Sequence, residues 1–211
     1  MLDLAKSTEF NKRIPKQKFY ENMDVTSELK KKFAEQIRII YWKNKIAPTT
    51  INLEKGRNIA EIEVFELKLN TMQFDENILL QIDKGIPYHI LFLLEYEGKY
   101  QAWIGYKEID DKKIRVSQYY HTQWLDEKSL PCKMEGLDMD SVYENFVRQI
   151  AGDELKSKEK TDLKEDIEKA QEQKKIEKQI KSLQTKIRKE KQFNRKIELN
   201  NELKKLKKQL N

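Results

Sequence analysis

The sequence predicts an α+β domain with a mixed or antiparallel sheet and packed helices, followed by a long C-terminal coiled-coil helix. Three observations predict it. Short apolar runs rich in β-branched and aromatic residues fall between residues 59 and 120, the pattern of strands. Apolar residues three and four apart mark helices on either side of them. All six glycines and all four prolines lie at or before Gly152, so the final 59 residues contain no helix breaker. That final stretch is rich in Lys, Glu, Gln and Leu, which are strong helix formers.

Along the body, Ser27 to Ile46 places Leu29, Phe33, Ile37, Ile40 and Tyr41 on one helical face. Asp24, Thr26 and Ser27 are candidate caps, and Pro48 follows the end. Ile59 to Leu69 is β-branched and partly alternating, which predicts a strand. Asp75 caps a short helix through Ile82 that Gly85 stops. Tyr88 to Tyr96 is strongly apolar and predicts a central strand. The turn Glu97-Gly98-Lys99 returns it as Tyr100 to Lys107, and Asp110-Asp111 turns again into Ile114 to Tyr120, a three-strand meander. Val142, Phe146 and Ile150 give a last body helix, capped near Asp138 or Asp140.

The tail divides further. Residues 1–151 form the α+β domain, 152–175 a polar helical linker, and 176–211 a basic coiled-coil segment. Ile176, Ile180, Leu183 and Ile187 are spaced four, three and four apart, as are Leu199, Leu203, Leu206 and Leu210 in a second series, the seam of a coiled coil that mediates oligomerisation. The 12 residues between Ile187 and Leu199 break the heptad phase, and Phe193 and Ile197 fall in the gap. A phase slip in one continuous helix and a hairpin both fit that break, and the lack of Gly or Pro favours the continuous helix.

Charge follows the same division. The chain is 37% charged with a net charge of +6. Gln173 to Asn211 holds 14 basic and 4 acidic residues, a net of +10, which leaves the rest of the chain at −4. The basicity is therefore that of an interaction arm. No apolar run is long enough to span a bilayer, the N-terminus lacks a signal-peptide layout, and Cys132 is the single cysteine. A cytoplasmic protein without disulfides is expected. Two histidines and one cysteine leave too few ligands for a zinc site, so no metal and no cofactor are expected. The isolated glycines exclude a phosphate-binding loop.

Several strings are distinctive: Phe10-Asn11-Lys12-Arg13-Ile14-Pro15-Lys16, the run from Ile40 to Thr50, Glu63-Val64-Phe65-Glu66, Ile86-Pro87-Tyr88-His89-Ile90, Val142-Tyr143-Glu144-Asn145-Phe146 and Lys189-Glu190-Lys191-Gln192-Phe193-Asn194. Together they resemble the prokaryotic domain-of-unknown-function family 4391 over nearly the whole chain. The resemblance implies a protein often encoded beside helicases and DNA methyltransferases in restriction or phage-defence loci. It carries no catalytic residue over to this chain.

The sharpest catalytic candidate is Glu66-Leu67-Lys68, with Glu61 and Glu63 just before it. A Glu-x-Lys on a strand is half of a restriction-nuclease metal site, where acids hold Mg²⁺ and the Lys assists the attacking water. No Asp lies between Asp24 and Asp75, so Glu54 or Glu61 would have to supply the upstream acid. The plainer reading is a solvated strand face. Tyr119, Tyr120, His121 and Trp124 form an aromatic cluster suited to stacking or to core packing. His89 reads as a core histidine and Cys132 as a packing thiol. In the arm, Lys186, Arg188, Lys189, Lys191, Arg195 and Lys196 are the candidate nucleic-acid-binding residues.

These readings predict a non-enzymatic accessory subunit of a defence or restriction-modification-like system. It would dock on a helicase or methyltransferase and oligomerise, or hold a partner helix, through its coiled coil. The alternatives are a diverged Mg²⁺-dependent nuclease using Glu66 and Lys68, and a sequence-nonspecific nucleic-acid binder working through the arm.

Overall fold

The computed structural model describes residues 2, 4–23, 26–110, 113–155 and 162–209. The candidate cap Asp24, the turn residue Asp111 and the seam residue Leu210 lie outside these. The chain forms two units, residues 1–152 and 153–211. The first is an α+β unit around six strands: β1 (Glu9–Ile14), β2 (Ile37–Ile46), β3 (Ile62–Leu69), β4 (His89–Tyr96), β5 (Lys99–Asp110) and β6 (Lys113–His121). Its helices are α1 (Lys16–Asn22), α2 (Ser27–Gln36), α3 (Asn77–Gly85) and α4 (Met139–Ala151). The strands lie in chain order across one sheet. Every neighbouring pair is antiparallel except β3 and β4, which run parallel. A parallel pair needs a crossover, and α3 supplies it.

The predicted helix over Ser27–Ile46 is two elements. Thr26 caps α2 by accepting from the Leu29 N–H at 3.3 Å, but the helix stops at Gln36 and Ile37 opens β2. The spacing of Leu29, Phe33, Ile37 and Ile40 suits a helix, yet Ile-Arg-Ile-Ile-Tyr-Trp is a β-branched and aromatic run. Tertiary pairing decides the outcome, because β2 is bonded on one side to β1 and on the other to β3. The carbonyls freed at the end of α2 find donors elsewhere. Asn70 donates to Glu35 and Gln36 at 2.9 and 2.8 Å, and the Lys16 ammonium donates to Ala34 at 3.3 Å and to Ile37.

The β4–β5–β6 meander matches the expectation. Its first turn places both Glu97 (φ 49°) and Gly98 (φ 79°) in the left-handed region, as a two-residue type I′ turn requires. Alternation along β3 sends Phe65, Leu67 and Leu69 into a core shared with Phe19, Phe33, Ile78, Leu79, Ile82, Phe92 and Trp103. The opposite face carries Val64, Glu66 and Lys68, and there α4 packs on β5 and β6. Asp138 caps α4 in a reciprocal capping box with Ser141. Asp140 instead accepts from the Arg57 and Ile59 N–H groups, each at 2.8 Å. This close approach explains Gly56, where a Cβ would lie 2.1 Å from the Asp140 carboxylate.

The second unit contains α5 (Leu163–Lys189) and α6 (Phe193–Gln209). The continuous helix expected here is instead interrupted at Glu190–Gln192, and α5 and α6 pack on one another as a helical hairpin. The Glu190 carboxylate accepts from the Lys191 and Gln192 N–H groups at 2.8 and 2.9 Å. That side chain stabilises the break without Gly or Pro. Leu183 and Leu199 are buried, while Ile176, Ile180, Ile187, Leu203 and Leu206 are half-buried. The helix α5 runs through position 175 without interruption.

Candidate functional site

The Glu66-Leu67-Lys68 motif lies on β3 with Glu66 and Lys68 on the same face, as the strand period requires. Glu66 is 4% exposed. Its carboxylate meets the Lys43 ammonium at 3.4 Å and that of Lys68 at 3.6 Å. On the next strand Glu95 pairs in register with Lys68 and meets Arg38 at 3.8 Å. Burial pushes the Tyr100 hydroxyl up to about 12, helped by the carboxylates of Glu127, Glu66 and Glu95. Two carboxylates and three cations thus share this part of the sheet.

Glu61 is elsewhere. It pairs with Lys45 at 2.7 Å and hydrogen-bonds to Glu63, whose position in β3 points it to the face opposite Glu66. Glu63 is 2% exposed and accepts from Trp42 Nε1 at 2.5 Å. Burial and the adjacent Glu61 carboxyl push Glu63 up to about 9. Burial opposes ionisation of Glu61, but bonds to Glu63 and Lys45 outweigh it and hold its carboxyl below the usual range. Glu63 keeps its proton at neutral pH and shares it with Glu61.

The structure therefore does not bring Glu61, Glu66 and Lys68 together. A nuclease metal site needs converging acids, whereas the charged groups meeting the Glu66 carboxylate are the ammonium groups of Lys43 and Lys68. Among the described residues no group of three His, Cys, Asp or Glu side chains is arranged to hold a metal ion. Glu54 is exposed outside β3, where its backbone bridges to that of Asp138.

A buried polar network has the strongest pKa shifts but is sealed. The Lys107 ammonium donates to the carbonyls of Asp83, Ile86 and Tyr88 at 2.7, 2.6 and 2.6 Å and meets the Asp83 carboxylate at 3.3 Å. Tyr119 donates to the other Asp83 oxygen. Burial pushes Asp83 up to about 6, against the pull of Lys107, and lowers Lys107. His89 accepts no charge here: burial lowers it to about 4, and its Nε2 lies 3.0 Å from the Lys107 carbonyl. Every ammonium bond goes to the end of α3 and the loop after it, so the network fastens that loop to β5. Sequence reasoning missed it. The available signal was a charge at a core phase, because Asp83 follows Leu79 by four residues in a helix that buries both.

The remaining candidates divide between core and surface. Tyr120 is 1% exposed, Tyr119 and Trp124 are half-buried, and the exposed His121 stacks on Trp103 at 4.2 Å. Cys132 is buried, and burial pushes its thiol up to about 12, which leaves it unreactive.

In the hairpin, Lys186, Arg188 and Lys189 end α5, Lys191 lies in the connection, and Arg195 and Lys196 begin α6. Arg195 pairs with Glu198 at 2.6 Å. Among the described residues the other five form no ion pair, so their charge is available. Phe193 and Ile197, in the same region, are 75% and 45% exposed. The structure thus gathers all six candidate cations about one helix-to-helix connection.

The profile of the family described as Domain of unknown function (DUF4391) matches residues 2–210, and the chain belongs to that family. No curated protein and no solved structure matches it. Among the described residues no helix is long and apolar enough to cross a membrane.

Proposed function

We propose that the chain is a non-catalytic accessory protein whose basic helical hairpin contacts nucleic acid while its α+β unit docks on a larger partner. In a defence or restriction-modification-like system that partner is a helicase or DNA methyltransferase. The observation that carries this reading is the cation cluster at the hairpin connection, in an arm of 14 basic and 4 acidic residues. Phosphates answer such a cluster without sequence preference. The carboxylates that a nuclease would need are separated onto two faces or neutralised by lysines, which favours the non-catalytic reading.

The hairpin also changes the role of the seam. We take it as an intramolecular antiparallel coiled coil, in which α6 supplies the helix that α5 needs. A second reading, oligomerisation or capture of a partner helix, is favoured by the half-buried state of Ile176, Ile180, Leu203 and Leu206. A second copy would bring another +10 against the first, so an acidic helix suits that surface better than self-association.

The test is a binding titration of the full chain with fluorescent duplex DNA. A variant with Lys186, Arg188, Lys189, Lys191 and Lys196 changed to Gln should lose most affinity and keep its helical circular dichroism. Undiminished affinity in that variant would remove the arm as the binding element.

A further inference from the structure

We propose that the hairpin connection is selective for single-stranded nucleic acid, with Phe193 stacking on an unpaired base between phosphates held by the surrounding cations. The proposal deepens the nucleic-acid reading above and rests on it. Phe193 is the first residue of α6, and Ile197 lies one turn later on the same side of the helix. At 75% and 45% exposed they are, among the described residues, the two large apolar side chains of the hairpin that are open to solvent. The buried Leu199, by contrast, lies on the side that packs on α5. Phe193 thus contributes little to the fold of its own unit.

What surrounds the phenyl ring identifies the occupant. Lys191 precedes it by two residues and Lys196 follows by three, with Arg188 and Lys189 at the end of α5. One phenyl and one isoleucine make too small an apolar patch for a stable protein interface, which takes about 800 Å² from each partner. The same patch is matched to the face of one base. In a duplex the base faces are covered by stacking and only edges are open, so an exposed ring gains contact area only where bases are unpaired. Aromatic stacking with flanking cations is the general chemistry of single-strand binding. The Glu190 carboxylate keeps its charge but is outnumbered by the surrounding cations, and it is held against the Lys191 and Gln192 N–H groups.

The experiment compares a fluorescent oligothymidylate with a duplex of equal length, using the full chain and three variants. Wild type should bind the single strand more tightly. Phe193→Ala should weaken single-strand binding by roughly ten-fold or more and leave duplex binding unchanged, and Phe193→Trp should restore the preference. The five-residue Lys/Arg→Gln variant should lose both ligands. If Phe193→Ala binds both ligands as wild type does while the Gln variant loses both, the stacking proposal is overturned and the accessory reading stands. If the Gln variant also binds normally, both fall. Equal losses of Phe193→Ala on the two ligands would overturn single-strand selectivity as well. Because the ring is exposed, circular dichroism of Phe193→Ala should match wild type.

Discussion

Replacing Lys107 by Met removes one buried charge and keeps most of the apolar stem. Three carbonyls at 2.6 to 2.7 Å and the Asp83 carboxylate at 3.3 Å then lose their common donor. Lys107 and Asp83 are 3% and 1% exposed, so water does not replace it. Breaking a buried pair on one side costs about 3–5 kcal/mol, a large fraction of the stability of a domain this size. Urea unfolding followed by tryptophan fluorescence reads this directly, because Trp42, Trp103 and Trp124 all lie in the first unit. Two controls sharpen the result. Adding Asp83→Asn removes the stranded carboxylate, so the double variant should lose less than the sum of the single variants. Acidification should act in the same direction. Asp83 is already raised to about 6, and without Lys107 it rises further. The penalty for its charge is absent below its unfolded value and grows as pH rises through the folded one. The deficit of Lys107→Met should therefore shrink between pH 7 and pH 5. A loss below about 1 kcal/mol at pH 7, or a deficit that does not change with pH, would refute the assignment of Lys107 as a buried fastener.

His89, lowered from 6.5 to about 4 by burial, is neutral in the fold, so its contribution is present above pH 6.5 and lost as pH falls through 4. That loss amounts to about 3 kcal/mol, and pH-dependent urea midpoints of His89→Gln should show a correspondingly smaller decline on acidification; equal declines would contradict a buried neutral His89. Glu63, raised to about 9, contributes stability that is full below its unfolded value and is lost as pH rises through 9. Glu63→Gln should match wild type within about 1 kcal/mol at pH 4 and exceed it at pH 7 and further at pH 9, and a variant less stable than wild type at all three pH values would overturn the shared proton. In the hairpin, Leu183→Asp should reduce helical circular dichroism while the fluorescence midpoint of the first unit stays fixed. Coincident losses in both signals would show the hairpin and the α+β unit to be one cooperative structure.

The sequence was most legible where local chemistry and tertiary pairing agree. Gly98 demanded a turn, and Asp138 or Asp140 a helix start; the turn is found and Asp138 is the cap. It was least legible where one stretch served two periods. Ile37 and Ile40 continue the helical stripe of Leu29 and Phe33, and only the partners on β1 and β3 turn that stretch into β2. β1 escaped notice because Glu9–Ile14 is mostly exposed and polar, which erases the alternation. In the arm the two seams could have been read as mirror images about Lys191. Ile176 lies 15 residues before it and Leu206 15 after, and Leu183 and Leu199 are each eight away. That symmetry specifies a hairpin more firmly than the missing Gly and Pro specify a continuous helix. For the candidate site, the cation cluster was visible as composition. The separation of Glu61 from Glu66 follows from strand parity and was overlooked.

Salt dependence of DNA binding tests the central claim most directly. Five cations that form no ion pair among the described residues, neutralising about five phosphates, predict that log K falls with log salt concentration at a slope of about −4 to −5. The same measurement on the five-residue Gln variant should give a slope close to zero. A shallow slope for the wild-type chain, or an equally steep one for the Gln variant, would contradict phosphate contact by the hairpin.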